Sequence, residues 1–367
     1  MRILVLEPYF TGSHKAWALG YQRFSRHEVQ ILSLPGQFWK WRMHGGAVSL
    51  AARFKNETYR PDLLLATDML DLTTFLALTR KETQDLPVAV YFHENQLSYP
   101  WSPDDRDVQK DRDKHYGFIN YVSALAADAV FFNSQYNMAS FLQELGKLLN
   151  HFPDFREKEN IDRLSAKSKV LPLGLDLGRF SGRRKERPQK QKPLILWNHR
   201  WEFDKNPREF FQALRVVAAA GADFELALLG ECFSDRPQEF ETARKELGDK
   251  IVHFGYIADA EKYDDWLCRA DLLPVTSRQD FFGGSVVEAV AAGCRPLLPK
   301  RLAYPELIPN ALHPLVFYDD FGDLTAKLAQ AVENPVWPRR VELQQAMRRF
   351  DWRNVVDVYD TTLADLC

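Results

Sequence analysis

The sequence predicts an α/β protein built from two doubly wound units, and three observations lead there. Its 367 residues exceed one ordinary core and suit two domains. Short apolar, β-branched runs alternate with segments of helical period, the pattern of parallel strands joined by crossover helices. A strongly basic stretch near the middle separates one such series from the next. Two units of this kind imply a cleft.

The first run, residues 3–6 within MRILVLEPYF, has one basic residue before it and no small-residue cleavage site, so it reads as a buried strand and not a signal peptide. The protein is expected to remain in the cytoplasm. Runs at 29–32, 63–66, 88–92 and 129–132 complete the first series; 194–197, 225–229, 251–254, 272–276 and 295–298 form the second. Segment 179–192 holds seven basic residues and one acid, with prolines at 188 and 193, and reads as the linker. Its charge suits a solvated connector or, alternatively, a strip that meets phosphates. The resulting division is 1–178, linker 179–192, 193–349, and a last helix over 350–367 with apolar residues at 352, 355, 356 and 359. Residues 102–115 form a second polar stretch, read as a surface loop entering a helix.

Composition narrows the function. With 46% hydrophobic and 27% charged residues the chain is globular, and no stretch is long and apolar enough to span a bilayer, so no membrane partner is expected. A net charge of -2 means that any nucleic acid must be met by a local basic surface. Cys232, Cys268, Cys294 and Cys367 show no paired spacing, which argues against a disulfide framework and a zinc site.

The second series carries the strongest chemistry. Its strand 194–197 ends in Asn198-His199-Arg200-Trp201-Glu202-Phe203-Asp204-Lys205, two cations five residues apart where open α/β sheets bind ligands. A guanidinium suits two oxygens of a diphosphate and an ammonium adds a compact second charge; alone, the pair would equally fit two surface cations. Strand 272–276 then leads through Asp280-Phe281-Phe282-Gly283-Gly284-Ser285 into a helix over 286–292 stopped by Gly293. Two glycines before a helix let backbone N–H groups approach an anion. Asp280 is placed to meet a sugar, and Glu288 to accept from ribose hydroxyls.

Asp280 and Glu288, with Arg200 and Lys205, resemble the glutamate-seven-residues-glutamate signature of retaining GT-B glycosyltransferases, whose fold is two Rossmann-like domains facing a central cleft. The first acid here is one methylene shorter. Pro172-Leu173-Gly174-Leu175-Asp176-Leu177-Gly178-Arg179-Phe180, Leu229-Gly230-Glu231 and Phe254-Gly255-Tyr256-Ile257 fit the same pattern. In the first half, Glu7-Pro8-Tyr9-Phe10-Thr11-Gly12-Ser13-His14-Lys15, Phe38-Trp39-Lys40-Trp41-Arg42, Tyr91-Phe92-His93-Glu94-Asn95-Gln96 and Phe131-Phe132-Asn133-Ser134 together resemble the tRNA-queuosine α-mannosyltransferase family, as does Arg301-Leu302-Ala303-Tyr304-Pro305-Glu306.

That resemblance implies transfer of mannose from GDP-mannose, with retention, to queuosine in the anticodon loop of the aspartate tRNA. It implies donor contacts from Gly12, Ser13, Tyr256, Ile257, Phe282, Gly283, Gly284 and Glu288, and catalysis by Arg200, Lys205, Asp280 and His93. His93 ends a buried strand; capping by Glu94 as a structural histidine is the alternative. His14, Asn95 and the run Trp39, Lys40, Trp41, Arg42 are expected on the acceptor side, because aromatic platforms between cations read single-stranded RNA; both tryptophans as core is the alternative. No cofactor and no metal is expected, since two cations and a helix start serve the diphosphate. A relative with a lipid or polysaccharide acceptor, and a non-catalytic RNA-binding protein on this scaffold, are the competing readings.

Overall fold

The structure, a computed structural model, describes residues 1–101, 105, 107, 114–184, 192–232 and 237–367. Most of the polar stretch 102–115 and of the linker lies outside them. The chain forms two compact units, Met1–Leu175 with Trp352–Cys367, and Asp176–Asp351.

In the first unit β1 (Arg2–Phe10), β2 (Glu28–Pro35), β3 (Leu63–Thr67), β4 (Val88–Phe92), β5 (Ala129–Phe132) and β6 (Ser168–Val170) form one sheet in the order β2-β1-β3-β4-β5-β6. All its pairings are parallel. Every residue of β3, β4 and β5 is buried, which is why these runs show continuous rather than alternating hydrophobicity. The last helix, Trp352–Ala364, packs on Gly12–Phe24 through its apolar face. Tyr359 Oη accepts from Trp17 Nε1 at 3.2 Å, and Asp360 Oδ1 accepts from Tyr21 Oη at 2.9 Å. The Trp352 indole lies so close over Gly20 that a Cβ there would come within 2.0 Å of its Nε1.

In the second unit β7 (Leu194–Trp197), β8 (Glu225–Leu228), β9 (Ile251–Phe254), β10 (Leu272–Pro274), β11 (Arg295–Pro299) and β12 (Phe317–Tyr318) take the order β12-β11-β10-β7-β8-β9, again all parallel. Each predicted run coincides with a strand. The two strands not foreseen, β6 and β12, are three and two residues long, and β6 reads Ser-Lys-Val, too short and polar to give a signal. The described part of the basic segment is not a solvated connector: Arg179 and Arg183 pair with Asp264, and Arg184 with Asp271. Among the described residues no helix is long and apolar enough to cross a membrane.

Candidate functional site

The second unit gathers charge at the carboxyl end of β7. A short turn, Phe203–Lys205, bends the chain and Asn206 takes φ 54° before helix Pro207–Ala219 begins. Thr276 Oγ1 clamps this turn by donating to the carbonyls of Lys205 and Asn206 at 3.1 and 3.0 Å. Lys205 is thereby held with its ammonium inside: Nζ donates to the Gln279 carbonyl at 2.7 Å and lies 3.1 Å from Asp204 Oδ2 and 3.9 Å from Asp280 Oδ2. Burial works against its charge, but Asp280 and Asp204 outweigh it and raise the pKa. Arg200 instead reaches toward solvent, with Glu202 Oε2 at 3.3 Å.

The loop after β10 closes on itself through Asp280. Its Oδ1 accepts from the Gly283 and Phe282 amides at 2.8 and 3.3 Å, and Oδ2 accepts from Tyr304 Oη at 3.2 Å. The short aspartate side chain folds back on its own backbone, so the residue expected to meet the sugar braces the loop and balances Lys205. Gly283 caps the helix Gly284–Ala291 at φ 91°, a conformation that favours glycine, and its added Cβ would stand 3.0 Å from the Tyr304 ring. Gly293 ends that helix at φ 98°, as predicted. The Phe282 side chain is buried against Phe350, so any ligand contact there falls to its backbone.

Glu288 lies in the second turn of the helix, where Oε1 accepts from Arg179 Nη2 at 2.7 Å. Tyr256 is largely exposed, and Ile257 lines an open depression of about 330 Å³ with His253, Lys262, Asp265, Trp266 and Arg269, at the low end of the range for small-ligand pockets. Beside Lys205, His199 Nδ1 meets Ser285 Oγ at 3.0 Å, and Asn198 Nδ2 donates to the Ser285 carbonyl at 2.9 Å, fixing the helix start. Burial and then the Lys205 charge push His199 down to about 4.

The first unit builds a different cluster. Gly12, at φ 49°, and Ser13 are exposed at the start of helix Gly12–Phe24, whose first turn has no side-chain cap. One residue further, His14 turns inward: Nδ1 lies 3.0 Å from Glu7 Oε2, and the ring lies tilted by 36° against His93 with centroids 4.1 Å apart. Burial opposes a charge on His14, yet Glu7 outweighs it and the pKa rises to about 9. His93, buried and facing that cation, is pushed well below its ordinary value. Its backbone N–H donates to Asp68 Oδ1 at 2.8 Å, and burial pushes Asp68 up to about 8. Among the described residues, His93 Nε2 and Asp68 Oδ2 have no hydrogen-bond partner. Glu94 does not cap His93; it accepts from Gln96.

Three acceptor-side expectations change with this geometry. His14 is buried and committed to Glu7. Asn95 is wholly buried, its amide donating to Asn137 at 2.8 Å and accepting from the Ser98 N–H at 2.9 Å, so it holds its own turn. The run at 39–42 opens a helix, Trp39–Asn56, and a helix turns residues two apart to opposite sides. Trp39 accordingly packs on Trp101 and Tyr116 while Trp41 is 62% exposed. Lys40 pairs with Asp105 and Asp107, and Arg42 Nε donates to the Pro35 carbonyl. Unforeseen were Glu7, Asp68, His199, Arg179, Asp264 and Tyr304. Glu7, His199, Arg179 and Tyr304 lie inside motifs quoted from the sequence but were given no role there, whereas Asp68 and Asp264 carried no signal and meet their partners across long stretches of chain.

Two parallel six-stranded sheets are the architecture of the GT-B fold. HepE from Anabaena, solved in complex with UDP, superposes over the whole of both chains with a TM-score of 0.69 at 17% identity. Sucrose-phosphate synthase from Thermosynechococcus elongatus does so over 100% of this chain and 98% of its own, with a TM-score of 0.72 at 14% identity. Residues 2–175 match the family model described as tRNA-queuosine alpha-mannosyltransferase N-terminal, and residues 179–350 match glycosyl transferases group 1. The tRNA-queuosine alpha-mannosyltransferase of Drosophila melanogaster is 35% identical over 335 residues, 89% of this chain and 85% of that one. A GDP-mannose-dependent phosphatidylinositol dimannoside mannosyltransferase of Mycobacterium tuberculosis is 28% identical over 41% of this chain and 40% of its own. The chain belongs to the tRNA-queuosine α-mannosyltransferase family.

Proposed function

We propose that this protein transfers mannose from GDP-mannose to queuosine in the anticodon loop of the aspartate tRNA, with retention of configuration. The observation that carries the donor half is the buried Lys205 ammonium, held at the carboxyl end of β7 beside the Gly283–Gly284 helix start. Such a place concentrates positive potential for a diphosphate. Family membership supports the sugar and the acceptor.

In the reaction, the bond from the sugar C1 to the β-phosphate oxygen breaks while the acceptor oxygen bonds to C1 on the same face. The acceptor proton passes to an oxygen of the departing phosphate, and GDP leaves. Lys205 and Arg200 stabilise the charge that grows on that phosphate, and backbone amides at 283–285 share it. Glu288 holds the ribose hydroxyls. Asp280 is engaged in its own loop and so is not free to act as the nucleophile of a double displacement, which supports front-face transfer. His93 is assigned to a substrate hydroxyl. The positive charge needed at the diphosphate comes from protein groups, so the reading requires no metal.

The test is mass spectrometry of nucleosides from queuosine-containing aspartate tRNA after incubation with the protein and GDP-mannose, with UDP-glucose in parallel. A hexose gained on queuosine with GDP-mannose alone is expected. Hydrolysis of a donor without any gain on the nucleoside would move the acceptor to another class of molecule.

A further inference from the structure

Glu288 does not act as an isolated carboxylate. Arg179 Nη2 donates to its Oε1 at 2.7 Å, while Arg179 Nε donates to Asp264 Oδ1 at 3.0 Å. One guanidinium therefore joins two helices: Ala260–Arg269, which follows the Tyr256–Ile257 loop, and Gly284–Ala291, which carries Glu288. Asp264 Oδ2 is taken by Arg183 at 3.1 Å, so Asp264 has donors on both oxygens. The side chains of Asp264 and Glu288 are only 8% and 17% exposed, which sets this network apart from a solvated surface pair. A planar fork can serve two separate carboxylates along fixed directions; an ammonium, a point charge on a flexible stem, cannot do so in the same way. Burial disfavours the Arg179 charge and the two carboxylates more than offset it.

We infer that Arg179 is a positioning residue for the donor nucleotide. It fixes the Glu288 carboxylate in the orientation a ribose diol requires and sets the spacing between that carboxylate and the loop at 256–257. The inference rests on the assignment of Glu288 to ribose. It also gives the start of the basic segment a role: Arg179 meets phosphates only indirectly, through the nucleotide that Glu288 holds.

GDP, with UDP beside it, is titrated calorimetrically into the full-length wild type, Arg179→Met, Arg179→Lys, Glu288→Gln and the double variant Arg179→Met/Glu288→Gln. Arg179→Met is expected to weaken GDP about tenfold, or about 1.4 kcal/mol, and to raise the donor KM more than it lowers kcat. The double variant should bind no more weakly than the weaker single variant, because both changes disable one device. Arg179→Lys, which keeps the charge and loses the fork, should fall between, and it decides the matter alone if Arg179→Met does not fold. Wild-type GDP affinity in folded Arg179→Met, or losses that multiply in the double variant, would overturn the inference while leaving Glu288 in place. Wild-type affinity in Glu288→Gln would remove the ribose assignment itself.

Discussion

His14 and His199 occupy matching places in the two units. Each follows the first strand of its sheet, β1 or β7, and each is more than nine-tenths buried. Desolvation disfavours the imidazolium at both. Yet His14 is pushed up to about 9 and His199 down to about 4. The difference lies in the nearest charge: Glu7 stands 3.0 Å from one, and the other feels the ammonium of Lys205. Burial alone therefore does not set protonation at these strand ends. The first unit stores a proton beside a carboxylate, and the second stores a fixed cation that keeps its histidine neutral.

Removing that fixed cation is the strongest way to break the comparison. Lys205→Ala leaves the buried Asp204 carboxylate without its ion partner, and breaking such an arrangement costs about 3 to 5 kcal/mol. Urea unfolding is expected to show a loss of that order, together with a fall of about a hundredfold or more in transfer rate. Arg200→Ala, at a largely exposed side chain, should lower transfer about ten- to a hundredfold with the unfolding midpoint unchanged. Equal stability losses in the two variants would mean that Lys205 is not the buried hub of the second unit.

The histidines sharpen it through pH. The folded pKa of His14, about 9, lies above the ordinary 6.5, so its contribution to stability is complete below about 6.5 and is lost as pH rises through 9. Asp68, pushed up from 3.8 to about 8 by burial, acts in the same direction but from 3.8 upward, so below pH 6.5 it opposes the effect of His199. His199, at about 4, works the other way: its contribution is complete above 6.5 and is lost as pH falls through 4. At about 1.4 kcal/mol per pKa unit, each effect is on the order of 3 kcal/mol. In urea titrations, His14→Gln should shrink the loss of stability between pH 6.5 and 9 and leave the acid side alone. His199→Gln should gain stability relative to wild type as pH falls from 6.5 to 4, a difference in which the opposing Asp68 contribution cancels. If each variant kept the wild-type slope in its own window, the charges assigned to the two histidines would be wrong.

The same contrast explains what could be read from the sequence. In the second unit the candidate site is local: Arg200 and Lys205 follow one strand, and Gly283, Gly284 and Glu288 follow another, so spacing and glycine placement single them out as candidates. Even there, the bonds Asp280 makes to its own loop were not legible, because Tyr304, which donates to it, arrives from beyond the next strand. In the first unit Glu7, His14, Asp68 and His93 come from positions that only the order of the sheet brings together. His93 was legible as a strand end, whereas its contact with His14 was not. Fully buried strands were the easiest elements to place, and β6 and β12 escaped because two or three residues carry no period.

The smallest effect on the folded protein is expected at Trp41, and it addresses the acceptor. Strand-like alternation of Trp39, Lys40, Trp41 and Arg42 would have put both indoles on one face; the helix splits them, with Trp39 packed on Trp101 and Tyr116 and Trp41 left 62% exposed. Only Trp41 is free to stack on an unpaired base, a contact worth about 1 to 3 kcal/mol. The indole lies over Gly45, where a Cβ would come within 2.4 Å of the ring, so its placement is fixed by close packing on its own helix. Trp41→Ala should therefore keep the unfolding free energy within about 0.5 kcal/mol of wild type and leave GDP binding untouched. Affinity for the anticodon stem-loop of the aspartate tRNA, measured by fluorescence anisotropy, should drop about tenfold. Trp39→Ala should instead lower stability first, because its ring is part of the packing between elements. Wild-type RNA affinity in Trp41→Ala would take this helix out of the acceptor surface and leave the first unit's substrate contacts to Gly12, Ser13 and the cluster around His93.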